Sequence, residues 1–116
     1  MRLNQVKVGA LDLGQSTAFY EALGFRRVVA NQTYARLELP DSGVTLSLHV
    51  VRGGMPNGGP MLCLECDDLD TDVARLKSKG ISFDSEPIDP MLVAREALLK
   101  DPSGNVICLY PARALD

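Results

Sequence analysis

The chain has no tryptophan, one histidine (His49), three cysteines and only 5% aromatic residues in 116 positions. Three cysteines are an odd number and lack the spacing of a disulfide framework, which predicts a reducing compartment, the cytoplasm. There is no basic run and the formal net charge is −3, so nucleic acid is not an expected partner. The opening stretch MRLNQVKVGA has no apolar segment of the kind that marks a signal peptide. No stretch approaches the length of a membrane span, so no membrane association is expected. What remains is an ordinary globular composition, 46% apolar and 23% charged, long enough for one domain with a core of its own.

What the chain does have is an internal repeat. VKVGALDLGQSTAFYEALGF (6–25) and LCLECDDLDTDVARLKSKGI (62–81) each read strand, Asp-Leu, short helix, Gly, strand. Asp12-Leu13 and Gly24-Phe25 match Asp68-Leu69 and Gly80-Ile81 at one offset, 56 residues. SGVTLSL (42–48) matches SGNVICL (103–109) at an offset of 61. In the second helix Leu69, Val73 and Leu76 form one apolar stripe, Asp68 is an N-cap, Asp70 and Asp72 sit in the first turn, Lys77 and Lys79 in the last, and Gly80 ends it. In the first, Ala18, Phe19, Ala22 and Leu23 are expected to be the buried face, with Gly24 ending the helix. Strands are expected over 26–30, 33–39 and 44–51, and over 82–86, within 93–100 and over 106–110. The chain is thus expected to be a single domain of two β-α-β-β-β modules, 1–51 and 61–116. The Gly/Pro-rich segment RGGMPNGGP (52–60) joins them.

Alternation then sorts the side chains. Val44, Leu46, Leu48 and Val50 are expected to cover a helix, leaving Thr45, Ser47 and His49 opposite. Ala35, Leu37 and Leu39 leave Tyr34, Arg36 and Glu38 opposite. Met61, Cys63 and Glu65 share one face; Leu62, Leu64 and Cys66 share the other. A sheet with one apolar and one mixed face predicts that the mixed face lines a cavity or meets another sheet. Cys63 and Cys66 spell Cys-x-x-Cys, but an i, i+3 pair on a strand points to opposite faces, so no redox pair is expected.

DLGQSTAFYEALGF (12–25), DDLDTDVARLKSKGI (67–81) and AREALLKDPSGNVICLY (94–110), with the paired modules, resemble the vicinal-oxygen-chelate superfamily: glyoxalase I, extradiol dioxygenases, fosfomycin-resistance enzymes and bleomycin-resistance proteins. The resemblance implies an α+β fold in which the two modules form curved sheets around a cavity, helices outside. It also implies a homodimer, and in the metal-dependent members one divalent ion held by two side chains from each module. Carried onto this chain, those positions are Gln5, Ser47, Met61 and Cys108. The repeat pairs them identically, Gln5 with Met61 and Ser47 with Cys108.

Amide, hydroxyl and thioether are weak donors for a borderline divalent ion, and one thiol does not hold an ion against water. No metal and no other cofactor is therefore expected. Cys108 can be read as nucleophile, ligand or pocket-lining thiol, and His49 as a general base, a wall of the pocket, or a partner of Cys108 and Glu65 at a displaced metal site. Arg95 either contacts an anionic group of a ligand or pairs with Glu96 or a cross-strand acid. Gln5, Ser47, His49, Met61, Cys63, Arg95 and Cys108 are the candidate ligand-binding residues. The reading that follows is a small-molecule-binding protein of the drug-sequestering, antibiotic-resistance type. Its alternatives are a lyase, isomerase or dioxygenase with a non-standard metal site or none, and a regulatory module with a filled interior.

Overall fold

A computed structural model describes residues 2–52, 60–86 and 95–112. Most of the expected linker, 53–59, lies outside the described residues, as do 93–94 at the start of one expected strand. The chain divides into two compact units, Met1–Gly59 with Asp101–Asn105, and Pro60–Lys100 with Val106–Asp116.

The first unit runs β1 (Gln5–Ala10), α1 (Leu13–Leu23), β2 (Arg26–Ala30), β3 (Tyr34–Glu38) and β4 (Thr45–Val50). Its sheet has the order β1-β4-β3-β2, with β1 parallel to β4 and the other pairs antiparallel. Asp12 caps α1 by accepting from the Gln15 amide at 2.9 Å. Gly24 ends the helix at φ 118°, a left-handed conformation that a side chain resists. Val8, Ala10, Ala35, Leu37, Leu46 and Leu48 form the buried face of the sheet, as alternation requires. Val50 departs from the expectation and is exposed.

The buried face of α1 is not the expected one. Ser16, Thr17 and Tyr20 are buried, whereas Ala18 is exposed and Phe19, Ala22 and Leu23 are half-buried. Counting apolar residues misplaces this stripe because its members carry hydroxyls that find partners inside. Tyr20 stacks edge-to-face with Phe19 and Phe25, ring centroids 5.3 and 5.5 Å away. Its hydroxyl donates to Asp101 Oδ2 at 2.7 Å.

Asp101 belongs to the segment that connects two strands of the second unit yet counts with the first. Asp101 Oδ1 accepts from the amides of Ser103 (2.9 Å) and Asn105 (2.8 Å). Asn105 Nδ2 donates to Asp101 Oδ2 and to the Gly9 carbonyl, and Ser103 Oγ accepts from the Leu11 amide. Asp-Pro-Ser-Gly-Asn is therefore more than a turn. Every polar side chain in it is buried and spent on β1, α1 or the turn itself.

The second unit runs β5 (Leu62–Cys66), α2 (Leu69–Ser78), β6 (Ala97–Lys100) and β7 (Val106–Pro111), in the order β5-β7-β6. β5 is parallel to β7, and β6 antiparallel. This is the first unit's plan with one strand reduced. The strand expected over 82–86 is a single bridge, Ser85 opposite Leu98, held by the Asp84 and Ser85 amides donating to the Leu98 carbonyl. Asp84, Ser85 and Glu86 are all exposed, so the segment buries too little to extend the ladder. α2 matches its expected stripe: Leu69, Val73 and Leu76 are buried and Asp68 caps the helix through the Thr71 amide. The fold is α+β, two small sheets with one helix each. Among the described residues no helix is long and apolar enough to cross a membrane.

Candidate functional site

The face of the first sheet turned away from its buried apolar side is polar, and its pairing register orders it into rows. Lys7, Ser47 and Arg36 lie side by side across β1, β4 and β3. Gln5, Thr45 and Glu38 form the next row, and Gly9, His49 and Tyr34 the one on the other side. Tyr34 reaches diagonally across Ser47: its hydroxyl lies 3.3 Å from Ser47 Oγ and donates to Gln5 Oε1 at 3.5 Å. Ser47 Oγ also donates to Gln5 Oε1. This cluster covers Ser47 completely. Arg36 donates its Nε to Thr45 Oγ1 at 3.0 Å, and Glu38 is held by Arg26. His49 is exposed.

In the second unit, Cys63 and Cys108 are direct partners in the β5–β7 register and share a face. Cys63 is exposed, Cys108 is buried and its thiol donates to Glu96 Oε2 at 3.4 Å. Burial, followed by the hydrogen bond to Glu96 and that carboxylate's charge, pushes the Cys108 thiol up to about 12. Cys66 occupies the other face, as alternation requires, and burial with the nearby Asp72 pushes it up to about 12 as well. Met61 precedes β5 and is 52% exposed. Arg95 pairs with Asp70 of α2 at 2.6 Å.

The structure thus brings Gln5 and Ser47 together, and Cys63 beside Cys108. His49 and Cys108 belong to different units. Tyr34, Arg36 and Glu96 were not singled out from the sequence. Alternation places Tyr34 and Arg36 on the right face, but only the strand order shows that Tyr34 closes over Ser47.

The four positions that correspond to metal donors suit a divalent ion poorly. Gln5 Oε1 is already an acceptor for two hydroxyls, Cys108 is held as a neutral thiol, and Ser47 and Met61 offer a hydroxyl and a thioether. Among the described residues no group of three or more His, Cys, Asp or Glu side chains is placed to hold a metal.

The thiols differ enough to be separated by experiment. The protein thiolate attacks a sulfur of a disulfide reagent and expels the reagent's other half as a thiolate, so at pH 8 the exposed Cys63 is expected to react first. Cys66 and Cys108, buried and held protonated, are expected to lag at least tenfold. Peptide mapping over the time course checks this; Cys108 labelling as fast as Cys63 would contradict the described burial.

Residues 2–109 match the model of the Glyoxalase/Bleomycin resistance protein/Dioxygenase superfamily. The chain belongs to this superfamily. Solved structures similar to it include an antibiotic-binding protein, TnmS3, from Streptomyces sp. CB03234, at 28% identity and TM-score 0.80 over 97% of both chains. A bleomycin-binding protein solved with bleomycin is 26% identical, TM-score 0.75, over 97% of this chain and 99% of that one. A lactoylglutathione lyase from Agrobacterium tumefaciens shares the superfamily fold at 19% identity, TM-score 0.75, over 96% and 93% of the two chains. No curated protein matches the sequence.

Proposed function

We propose that this superfamily member is a metal-free small-molecule-binding protein of the drug-sequestering type that acts as a homodimer in the cytoplasm. The observation that carries the reading is the Gln5–Ser47–Tyr34 cluster. Where a metal-dependent relative would present ligands, these side chains bond to one another and form a polar binding wall. Pocket walls of this kind, a few fixed polar groups among apolar ones, orient small ligands. The likeness to an antibiotic-binding and a bleomycin-binding protein supports the same reading. Gln5 and His49 are the proposed contacts on the first sheet, with the fully buried Ser47 acting through the hydrogen bond that fixes Gln5. Met61, Cys63 and Cys108 are those on the second, with Arg95 orienting α2 against it through Asp70. The outer edge of β2, the last strand of its sheet, favours association with a second copy.

The test is calorimetric titration of chelator-treated protein with a panel of antibiotics that includes bleomycin, with light scattering and elemental analysis of the same preparation. Saturable binding by a dimer, unchanged by the chelator, with far less than one Ni, Zn, Fe or Mn per chain, is the expected result. Stoichiometric metal, or a panel with no binder, sinks the reading. A lyase, isomerase or dioxygenase is the second reading, and Cys108, whose thiol donates to Glu96 and is held protonated there, is the residue that tests it. Turnover that Cys108→Ala abolishes while binding survives would decide for it.

A further inference from the structure

The polar face of the first sheet can be counted donor by donor. Gln5 Oε1 accepts from Ser47 and Tyr34, which uses up the amide's acceptor and leaves its NH2 to donate. The Ser47 hydroxyl is fully buried beneath that contact. Arg36 is half-buried and spends only Nε, on Thr45; among the described residues its two terminal nitrogens have no protein partner. Lys7 stands in the same row as Arg36, with Ser47 between them. The one carboxylate on the face, Glu38, is neutralised by Arg26, its partner in the β2–β3 register. The described face therefore carries three cations, Lys7, Arg26 and Arg36, against one anion, in a chain whose net charge is −3. Its uncommitted hydrogen-bonding groups are mostly donors.

A face of spare donors and excess positive charge selects an acceptor-rich, negatively charged group. A guanidinium whose Nε is fixed presents its two Nη atoms as a fork, the geometry that takes a carboxylate bidentately. We infer that the first sheet binds the carboxylate of a small organic molecule, with Arg36 as the fork, Lys7 as the long-range attraction and the Gln5 NH2 as a flanking donor held in place by Tyr34 and Ser47. This rests on the small-molecule-binding reading and narrows it to carboxylate-bearing ligands.

The probes are sodium benzoate, neutral benzamide and cationic benzamidine, each titrated into the full chain and followed by ¹H–¹⁵N NMR, including the Arg Nε–H resonances. Benzoate is expected to saturate, shifting Arg36, Ser47 and Tyr34 and weakening as salt rises. Benzamide and benzamidine should leave those resonances in place. Arg36→Gln should weaken benzoate at least tenfold, Arg36→Lys by less because it keeps the charge without the fork. Lys7→Gln, at an exposed site that carries no packing, should cost about twofold. If benzoate fails to saturate, if benzamidine perturbs the face instead, or if neither Arg36→Gln nor Lys7→Gln changes benzoate affinity, the carboxylate assignment is wrong. The antibiotic panel above stands apart: a neutral or cationic antibiotic that binds while benzoate does not would overturn this assignment and leave the small-molecule reading intact.

Discussion

Replacing Asp101 with alanine is expected to lower stability by about 3–5 kcal/mol, the scale of breaking a buried charged network. Asp101 is 4% exposed and accepts four hydrogen bonds, from the Tyr20 hydroxyl, the Ser103 and Asn105 amides and Asn105 Nδ2. Alanine leaves a buried hydroxyl and two turn amides without acceptors and frees Asn105 from one of its two anchors. Domains of this size are stable by only about 5–15 kcal/mol, so the variant would lose a large fraction of the total. Asp101→Asn, which keeps an acceptor for the two amides but sets an NH2 against Tyr20, should lose less. Urea unfolding measures both; an alanine variant within about 0.5 kcal/mol of the parent would show that the turn anchors nothing. The same contact has an alkaline signature. Burial, then the bond to Asp101, raises the Tyr20 phenol above its ordinary value near 10. Above roughly pH 10 the unfolded chain releases a proton that the folded one keeps, so this contribution is intact below that pH and stability declines as pH rises beyond it.

Leu48→Ala is expected to cost about 3 kcal/mol, or on the order of 10 °C in Tm. Leu48 is fully buried on β4, an interior strand, between its register partners Val8 and Ala35 and on the face that carries α1. Its two register partners, Val8 and Ala35, are short and fill little of the space it would leave. Leu48→Met, which conserves volume, should cost less than about 1.5 kcal/mol. Thermal melts of the pair separate cavity formation from loss of the residue as such; equal melting temperatures would mean that the site collapses freely.

The repeat made most of the architecture legible. A constant offset from Asp12 to Asp68 and from Gly24 to Gly80 located both helices, and the α2 stripe followed from three apolar residues at helical spacing. Alternation placed Ser47 and Tyr34 on one face. The apolar count failed on α1, where Ser16 and Thr17 are buried together with Tyr20 in place of the expected face of Ala18, Phe19, Ala22 and Leu23. Tyr20 and Ser16 find their partners, Asp101 and Ser103, in a turn more than 80 residues away, which no local pattern contains. The strand expected at 82–86 failed for the opposite reason: its residue types permit a strand, but its exposed Asp84, Ser85 and Glu86 give a sheet nothing to bury. For the site, alternation tells which way a side chain points and not which strand lies beside it. The Cys63–Cys108 pair and the Lys7–Ser47–Arg36 row exist only because β7 pairs with β5, and β4 lies between β1 and β3.

The placement of Asp101–Asn105 with the first unit also bears on how the chain folds. That unit is discontinuous, so a ribosome that has made β1 through β4 has not yet made the groups that satisfy Tyr20, the Leu11 amide and the Gly9 carbonyl. During synthesis the early half waits, with polar atoms unpaired, until almost the whole sequence has emerged. Contacts of such long sequence separation slow folding and expose the nascent half to misassociation.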